Sequence, residues 1–451
     1  MSGNLPFGFG IGGNGDSGNE GGGGNPFGPG FGGAGGNPFD MNSLGAALQN
    51  LGQMLQQGGT GEAGPVNWPM VTDVARKAIG ADPSIGDSER RAVIESVRLA
   101  DIWLDQATTF PASTAEPRAW SRAEWLEGTI PAWRRIVEPI ATSMSNVMSS
   151  QMAGTDLSNL SPEDLEAALP EQMRGMFPGG VPAEMMQMLA PMMGMMQQLG
   201  AVAFSMQLGQ ALAGLAGDVV SLGDIGIPLT EDSVPTLLPR NVAEFGEGIG
   251  VNADDVRLYL ALRESAHQRL FAHVAWLRPR IVGAIEEYSR GITIDPSQLN
   301  EQMGSIDPSN PEAMQELMAS GLLKPQDTEE QRAALARLET LLALVEGWVD
   351  DVVEAAIGDR LPSSGQVRET VRRRRAAGGP AEKTFSTLVG LELRPRALRE
   401  AANLFAAVRH SGGTEGRDAL WGHPDLLPSA EDLSDPLGFV ERSNADFDFD
   451  A

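Results

Sequence analysis

Residues 254–275 read DDVRLYLALRESAHQRLFAHVA, and the nature of this stretch governs the interpretation of the whole chain. Its apolar residues recur every three or four positions, which predicts a helix with an apolar side. The string Arg263-Glu264-Ser265-Ala266-His267 places Arg263 and His267 four residues apart, so the two side chains share a helical face. Because Arg-Glu-x-x-His strings are common in helices, its meaning depends on the surrounding sequence.

Helical patterns dominate that surrounding sequence. Residues 329–357 carry a second long apolar stripe, and residues 394–410 carry a third. Strand signals are limited to residues 292–294 and 391–393, so the predicted fold class is mainly α with little or no sheet. The apolar segment 199–222 has the length of a membrane span, but Gln207, Gln210 and Asp218 interrupt it, which favours a buried helix.

Composition restricts the classes of function. The 451 residues include 33 basic and 60 acidic side chains, and the net charge of −27 makes nucleic acid and anionic lipid unfavourable partners. The chain has no cysteine, which excludes disulfides, a thiolate zinc site and a thiol nucleophile. The amino-terminal residues have neither the basic nor the apolar region of a signal peptide, which points to the cytoplasm.

The sequence divides into a central region and two tails of biased composition. Residues 1–65 are rich in Gly with recurring Pro-Phe pairs, and residues 431–451 are acidic; both are predicted to be disordered. The leader is then a flexible tail, or its Phe residues contact a partner. The helical domain spans 66–430.

Within that domain, residues 155–198 form a Met-rich insertion. A mobile insertion is the first interpretation, an apolar binding face the second and a copper site a distant third.

The Arg-Glu-x-x-His string differs from a zinc-hydrolase motif at one decisive position. Zinc hydrolases use two His residues at i and i+4, with a Glu between them that activates the bound water. Arg263 stands at the first ligand position, and a guanidinium stays protonated and has no lone pair to donate. Since a catalytic zinc normally takes three protein ligands and a water, this substitution removes an essential ligand.

Longer strings around the motif carry a family resemblance. They are RESAHQRLFAHVAWLRPRIVGAIEEYSRGI, the upstream GDIGIPL, and the downstream EGWVDDVVEAAIGDRLPSS, GPAEKTFSTLVGLELRPRALREAA and GRDALWGHPDLLPSAEDL. Through these strings the chain resembles, over roughly residues 66–440, a zincin-like family found mainly in actinobacteria. The family comprises hydrolases and zinc-dependent metallopeptidases. A sister branch is associated with deazaflavin-cofactor biosynthesis. The resemblance implies a helical zincin-like fold and, in active members, a zinc ion.

The resemblance transfers only part of the family's site. The sister-branch pattern resembles His-Glu-x-x-His followed by Glu-Gly-His, so His267 matches the second His and Glu264 the general base. Glu346 matches the downstream Glu as a candidate metal ligand, whereas Arg263 and Trp348 replace histidines. Possible carboxylate ligands beside His267 are then Glu346, Asp350 and Asp351.

Each of these residues also has a purely structural interpretation. His267 can be a core histidine held by one hydrogen bond, and Glu264 can pair with Arg263 or Arg269. We expect Arg263 to form a salt bridge with Glu346 or Asp350, so that an ion pair occupies the former metal site. The basic run 372–375 is predicted to be a solvated helix end, with anion binding as the other possibility.

Two functions follow from these residues. The favoured one is a non-catalytic binding or adaptor protein with protein or peptide partners and no cofactor. The alternative is a zinc-dependent metallopeptidase or hydrolase with an atypical site built from His267, Glu264 and downstream carboxylates.

Overall fold

The fold is known from a computed structural model, which describes residues 64–154, 183–290, 328–377 and 397–447. All of these belong to one unit, Gly61–Ala451. Most of the leader, residues 155–182 of the Met-rich insertion and both predicted strands lie outside the described residues.

Helices account for most of the described chain. In chain order they are α1 (Trp68–Ile79), α2 (Asp87–Leu104), α3 (Arg122–Gly154), α4 (Ala183–Asp218), α5 (Pro239–Gly246), α6 (Ala253–His273), α7 (Leu277–Arg290), α8 (Glu329–Ile357), α9 (Ser364–Ala376), α10 (Leu398–Ala419) and α11 (Pro436–Phe447). The predicted mainly α class is confirmed. The end of the Met-rich insertion, from Ala183 onwards, belongs to α4.

The sheet in the described residues is minimal. Strands β1 (Arg118–Ala119) and β2 (Thr236–Leu237) pair in parallel, with Arg118 opposite Thr236. Ser221 adds one antiparallel bridge to Leu237. Within the described ranges, none of the helices combines the length and apolar character that crossing a bilayer requires, in agreement with the interpretation of residues 199–222.

Helices α6 and α8 form the centre of the structure. Every residue from Tyr259 to Phe271 on α6 is buried, as is every residue from Leu341 to Val353 on α8. Helix α6 packs on α2 and α8, and α8 also packs on α7 and α10. Complete burial places the charged residues of both helices in a low-dielectric environment, where each needs a partner.

Gly347 sets the closest approach in this core. A Cβ atom at this position of α8 would lie 2.5 Å from the Cβ of Ala401 and 2.7 Å from the backbone nitrogen of Ala402 on α10. Only a glycine lets the two helices pack at this distance. The Glu-Gly pair of the family-like string therefore has a packing role as well as a chemical one.

The carboxyl-terminal part is more ordered than the sequence predicts. Residues 431–447 include a 3-10 turn, Asp432–Ser434, and helix α11, so the predicted disordered tail is wrong for this segment. The physical reason is that Leu433 and Phe439 are buried in the core. Helix α10 also runs past the predicted end at residue 410, through a kink at Gly413, whose φ is 71°.

Candidate functional site

Two central helices supply the predicted site residues. Helix α6 begins where the Asn252 side chain accepts a hydrogen bond from the Asp254 amide, and α8 begins with a capping box between Thr328 and Gln331. On α6, Arg263 and His267 are four residues apart; on α8, Glu346 and Asp350 are likewise. The two i, i+4 pairs face each other across the helix contact.

Arg263 binds both carboxylates on the opposite helix. Its Nη2 donates to Glu346 Oε2 at 2.6 Å, and its Nη1 donates to Asp350 Oδ1 at 3.3 Å. The Arg263 side chain is 8% exposed and that of Glu346 is 2% exposed. Both partners that the sequence names for Arg263 are therefore within ion-pair distance, and the guanidinium fills the space between the two helices.

His267 completes this arrangement with its two ring nitrogens. Nδ1 lies 2.8 Å from the backbone oxygen of Arg263, and Nε2 lies 3.0 Å from Glu346 Oε1. A carbonyl oxygen and a carboxylate oxygen both accept hydrogen bonds. Both ring nitrogens of His267 are therefore engaged by protein oxygens.

A further cation comes from the end of α9. Arg375 Nη1 lies 2.5 Å from Glu346 Oε1, and Arg372 contacts Asp350. Burial alone would raise the pKa of Glu346, but the positive charges of Arg375, His267 and Arg263 outweigh burial and hold this pKa well below its usual range. Glu346 is therefore an ionised carboxylate in contact with Arg263, His267 and Arg375.

The predicted solvated helix end is thus wrong for three of the four arginines in the run 372–375. Besides Arg372 and Arg375, Arg374 turns inward: its Nη1 lies 3.1 Å from Asp224 Oδ2 and its guanidinium lies over the Phe245 ring. Only Arg373 behaves as expected, with a side chain 78% exposed and paired with Glu369 one turn earlier.

The segment 223–226, Gly-Asp-Ile-Gly, lies against the arginine cluster. A Cβ atom at Gly223 would lie 2.8 Å from the Cβ of His267, and one at Gly226 would lie 3.1 Å from Glu346 Oε1. Gly226 also has a φ of 73°, which favours glycine. Sequence reasoning missed Asp224 and the two glycines, although the string GDIGIPL was one of those that carry the resemblance.

Glu264 has a different position from that expected of a general base. Its Oε2 accepts from the Gly223 amide at 2.8 Å, and its Oε1 accepts from the Thr236 amide at 3.0 Å and from Gln268 at 2.9 Å. Burial raises the pKa of this carboxyl group, while the backbone amides oppose that rise. Both oxygens thus hold the Gly223 segment and strand β2 against α6.

Trp348 does not join the cluster either. It lies two positions after Glu346, which is roughly 200° around the helix. Its Nε1 donates to Asp418 Oδ1 at 2.9 Å, and the Arg417 guanidinium lies over its ring. Asp351, one of the possible ligands, is also on this side and pairs with Arg409 and Arg417. The structure therefore brings Arg263, His267, Glu346 and Asp350 into contact. Trp348 and Asp351 lie on another side of α8.

The residues that are present do not fit a catalytic zinc ion. Within the described ranges there is no group of three His, Cys, Asp or Glu side chains placed to hold a metal. His267 and Glu346 are the two donors that match the motif, and they contact each other at 3.0 Å. The guanidinium groups of Arg263 and Arg375 bind the same carboxylate and put positive charge where a cation would have to enter.

Comparisons with known proteins agree with the helical architecture. The model of a family described as zincin-like metallopeptidase matches residues 66–440. The structure is similar to the crystal structure of a "putative hydrolase with a novel fold" from Chloroflexus aurantiacus, with a TM-score of 0.55 and 18% identity, covering 84% of this chain and 99% of that one. At that identity, the likeness shows the fold alone. A search of curated proteins gives no match.

Proposed function

The chain belongs to the zincin-like metallopeptidase family, and from that premise we propose that it is a non-catalytic member that binds protein or peptide partners. The observation that carries the proposal is the Arg263–Glu346 ion pair, 2.6 Å long and buried between the two helices of the motif. In this proposal the arginine side chain takes the place of the metal as the counter-ion of Glu346, and the helical scaffold serves for binding.

The chemistry of hydrolysis supports this choice. A metal hydrolase needs ligands with free lone pairs and a base that reaches the bound water. Arg263 has no lone pair, both ring nitrogens of His267 contact protein oxygens, and the Glu264 carboxylate is engaged by two backbone amides. Each of the three residues of the motif therefore has a structural partner where catalysis would need a reactive group.

Charge supports a protein or peptide as the partner. A net charge of −27 disfavours nucleic acid and anionic membrane surfaces. The proposed contact segments are the Gly/Phe-rich leader, residues 1–65, and the Met-rich insertion, residues 155–198, which lies within the helical domain, residues 66–430. We propose the cytoplasm as the place of this activity.

The alternative is a zinc-dependent metallopeptidase or hydrolase with an atypical site. One observation favours it: the bond from His267 Nδ1 to the Arg263 carbonyl is the kind that orients metal-binding histidines and leaves Nε2 to face the ligand. In this alternative, Arg263 and Arg375 would have to leave Glu346 so that His267 and Glu346 could bind the metal.

Zinc content per chain separates the two functions. We would measure it by elemental mass spectrometry on protein purified without chelator, for wild type, His267→Ala and the control His423→Ala, whose side chain is 64% exposed. The expected result is far less than one zinc per chain in all three. About one zinc per chain in wild type and the control, lost in His267→Ala, would overturn the proposal and support the hydrolase.

A further inference from the structure

A small crevice opens beside the arginine cluster. Its walls come from the segment that follows α4, from α6 and from the end of α9. The polar residues that line it are Ser221, Asp224, Arg263, His267, Arg374 and Arg375. Three guanidinium groups, an imidazole and one carboxylate therefore line this crevice.

Two acidic side chains that bind these arginines do not line the crevice. Glu346 and Asp350 bind Arg263, Arg372 and Arg375, but neither of them lines the crevice. Glu264 is buried and engaged by the backbone. The surface presented to a ligand is thus positive, on a chain whose net charge is −27. Such a local reversal of charge favours an anionic group.

One donor of Arg375, a residue that lines the crevice, has no acceptor. The Nε–H of Arg375 is buried, and the described residues supply no hydrogen-bond partner for it. The two terminal nitrogens of the same side chain bind Glu346 and the Asp224 carbonyl. A buried donor on a charged group is costly to leave unpaired, so this nitrogen marks a position where an acceptor oxygen is missing.

From these observations, which rest on the proposed function as a peptide-binding protein, we propose that the crevice binds a single carboxylate group of a peptide partner. Guanidinium forks match the planar geometry of a carboxylate. A dianionic phosphate would be repelled more strongly by Asp224 in the same small space. The source of the carboxylate is a peptide carboxyl terminus or an acidic side chain.

Calorimetric titration tests the assignment with small probes at constant ionic strength. N-acetylglycine presents a peptide-like carboxyl terminus, N-acetylaspartate amide presents an acidic side chain, and N-acetylglycine amide is the neutral control. Inorganic phosphate is the fourth probe. The variants are Arg374→Gln and Arg375→Gln, with Arg375→Lys to retain the charge, and Arg373→Gln as the matched control from the same run of four arginines.

We expect saturable binding of at least one carboxylate probe to wild type and to Arg373→Gln, and no binding of the neutral amide. Arg374→Gln and Arg375→Gln should weaken it by about tenfold or more, since each removes a charge-assisted hydrogen bond. If Arg375→Gln does not fold, Arg374→Gln and Arg375→Lys carry the comparison. A preference between the two carboxylates identifies the source.

Three results would overturn the inference: no saturable binding, binding of phosphate alone, or equal weakening in Arg373→Gln. Zinc content is measured on the same wild-type sample and reports on the proposed function independently. A metal-free protein without carboxylate binding would remove the crevice site and leave the non-catalytic proposal in place.

Discussion

Helix α8 has a network of arginines and carboxylates on each of two sides, and the two networks differ in how completely they are paired. On one side, Glu346 and Asp350 bind the arginines that face the crevice. On the other, Asp351 binds Arg409 and Arg417. The first network leaves the Arg375 Nε–H without an acceptor and borders an open crevice, whereas the second is closed.

The second network also connects distant parts of the chain. Asp418 Oδ2 accepts from the Thr108 hydroxyl and the Thr109 amide, both at 2.7 Å, and its Oδ1 accepts from Trp348. Arg417 is fully buried and donates to the Ala107 carbonyl at 2.6 Å. A buried ion network stabilises a fold only when all its groups are satisfied. We therefore expect the network around Asp418 to stabilise the fold and the network around Glu346 to take part in ligand binding.

The largest effect is expected from breaking the closed network. Arg417→Leu leaves the Asp418 carboxylate buried without its cation and should lower the free energy of unfolding by about 3–5 kcal/mol. Urea unfolding at neutral pH measures the loss. Arg337→Leu is the control on α8, because its side chain is 56% exposed and its pair with Glu287 should contribute at most about 1 kcal/mol. Equal losses in the two variants would refute the distinction.

A smaller loss is expected on the crevice side. Glu346→Gln removes the charge shared by Arg263 and Arg375, but Asp350 still neutralises the first and Asp224 the second. We expect the free energy of unfolding to fall by about 2 kcal/mol. The control is Glu354→Gln, whose side chain is 59% exposed and pairs with Arg368. A loss as large as that of Arg417→Leu would show that the crevice network is equally structural.

The sequence predicts contacts better when the residues involved are close along the chain than when they are far apart. The helix limits Glu329–Ile357 follow from local spacing, whereas the pairing of Arg263 with Glu346 is expected from the resemblance that puts both residues at positions of the metal site. The inward turn of Arg374 and Arg375 follows from neither, because it depends on where α9 ends relative to Asp224, about 150 residues earlier.

The contacts of Glu264 also could not be predicted from the sequence. Its motif position suggested a base, yet the Gly223 and Thr236 amides that engage it belong to a segment whose path is set by tertiary packing. The β1 and β2 strands are two residues long, too short to produce an alternating pattern. Burial of Leu433 and Phe439 likewise outweighs the acidic composition that predicted a disordered tail.

The smallest effect concerns pH and sharpens the assignment of the closed network. Burial would raise the pKa of Asp418, but Arg417, together with the hydrogen bonds from Thr108 and Thr109, holds it below the ordinary value of 3.8. A carboxylate with a lowered folded-state pKa stabilises the fold at higher pH, and that contribution is lost as the pH falls below the unfolded value. The stability difference between wild type and Asp418→Asn should therefore be constant at neutral pH and shrink below about pH 4, by at most about 1.4 kcal/mol per pH unit.

Urea unfolding of both proteins from pH 7 to pH 3 measures this difference. A gap that stays constant down to pH 3 would mean that Asp418 acts through packing and neutral hydrogen bonds, and that the charge of Arg417 contributes little to the closed network.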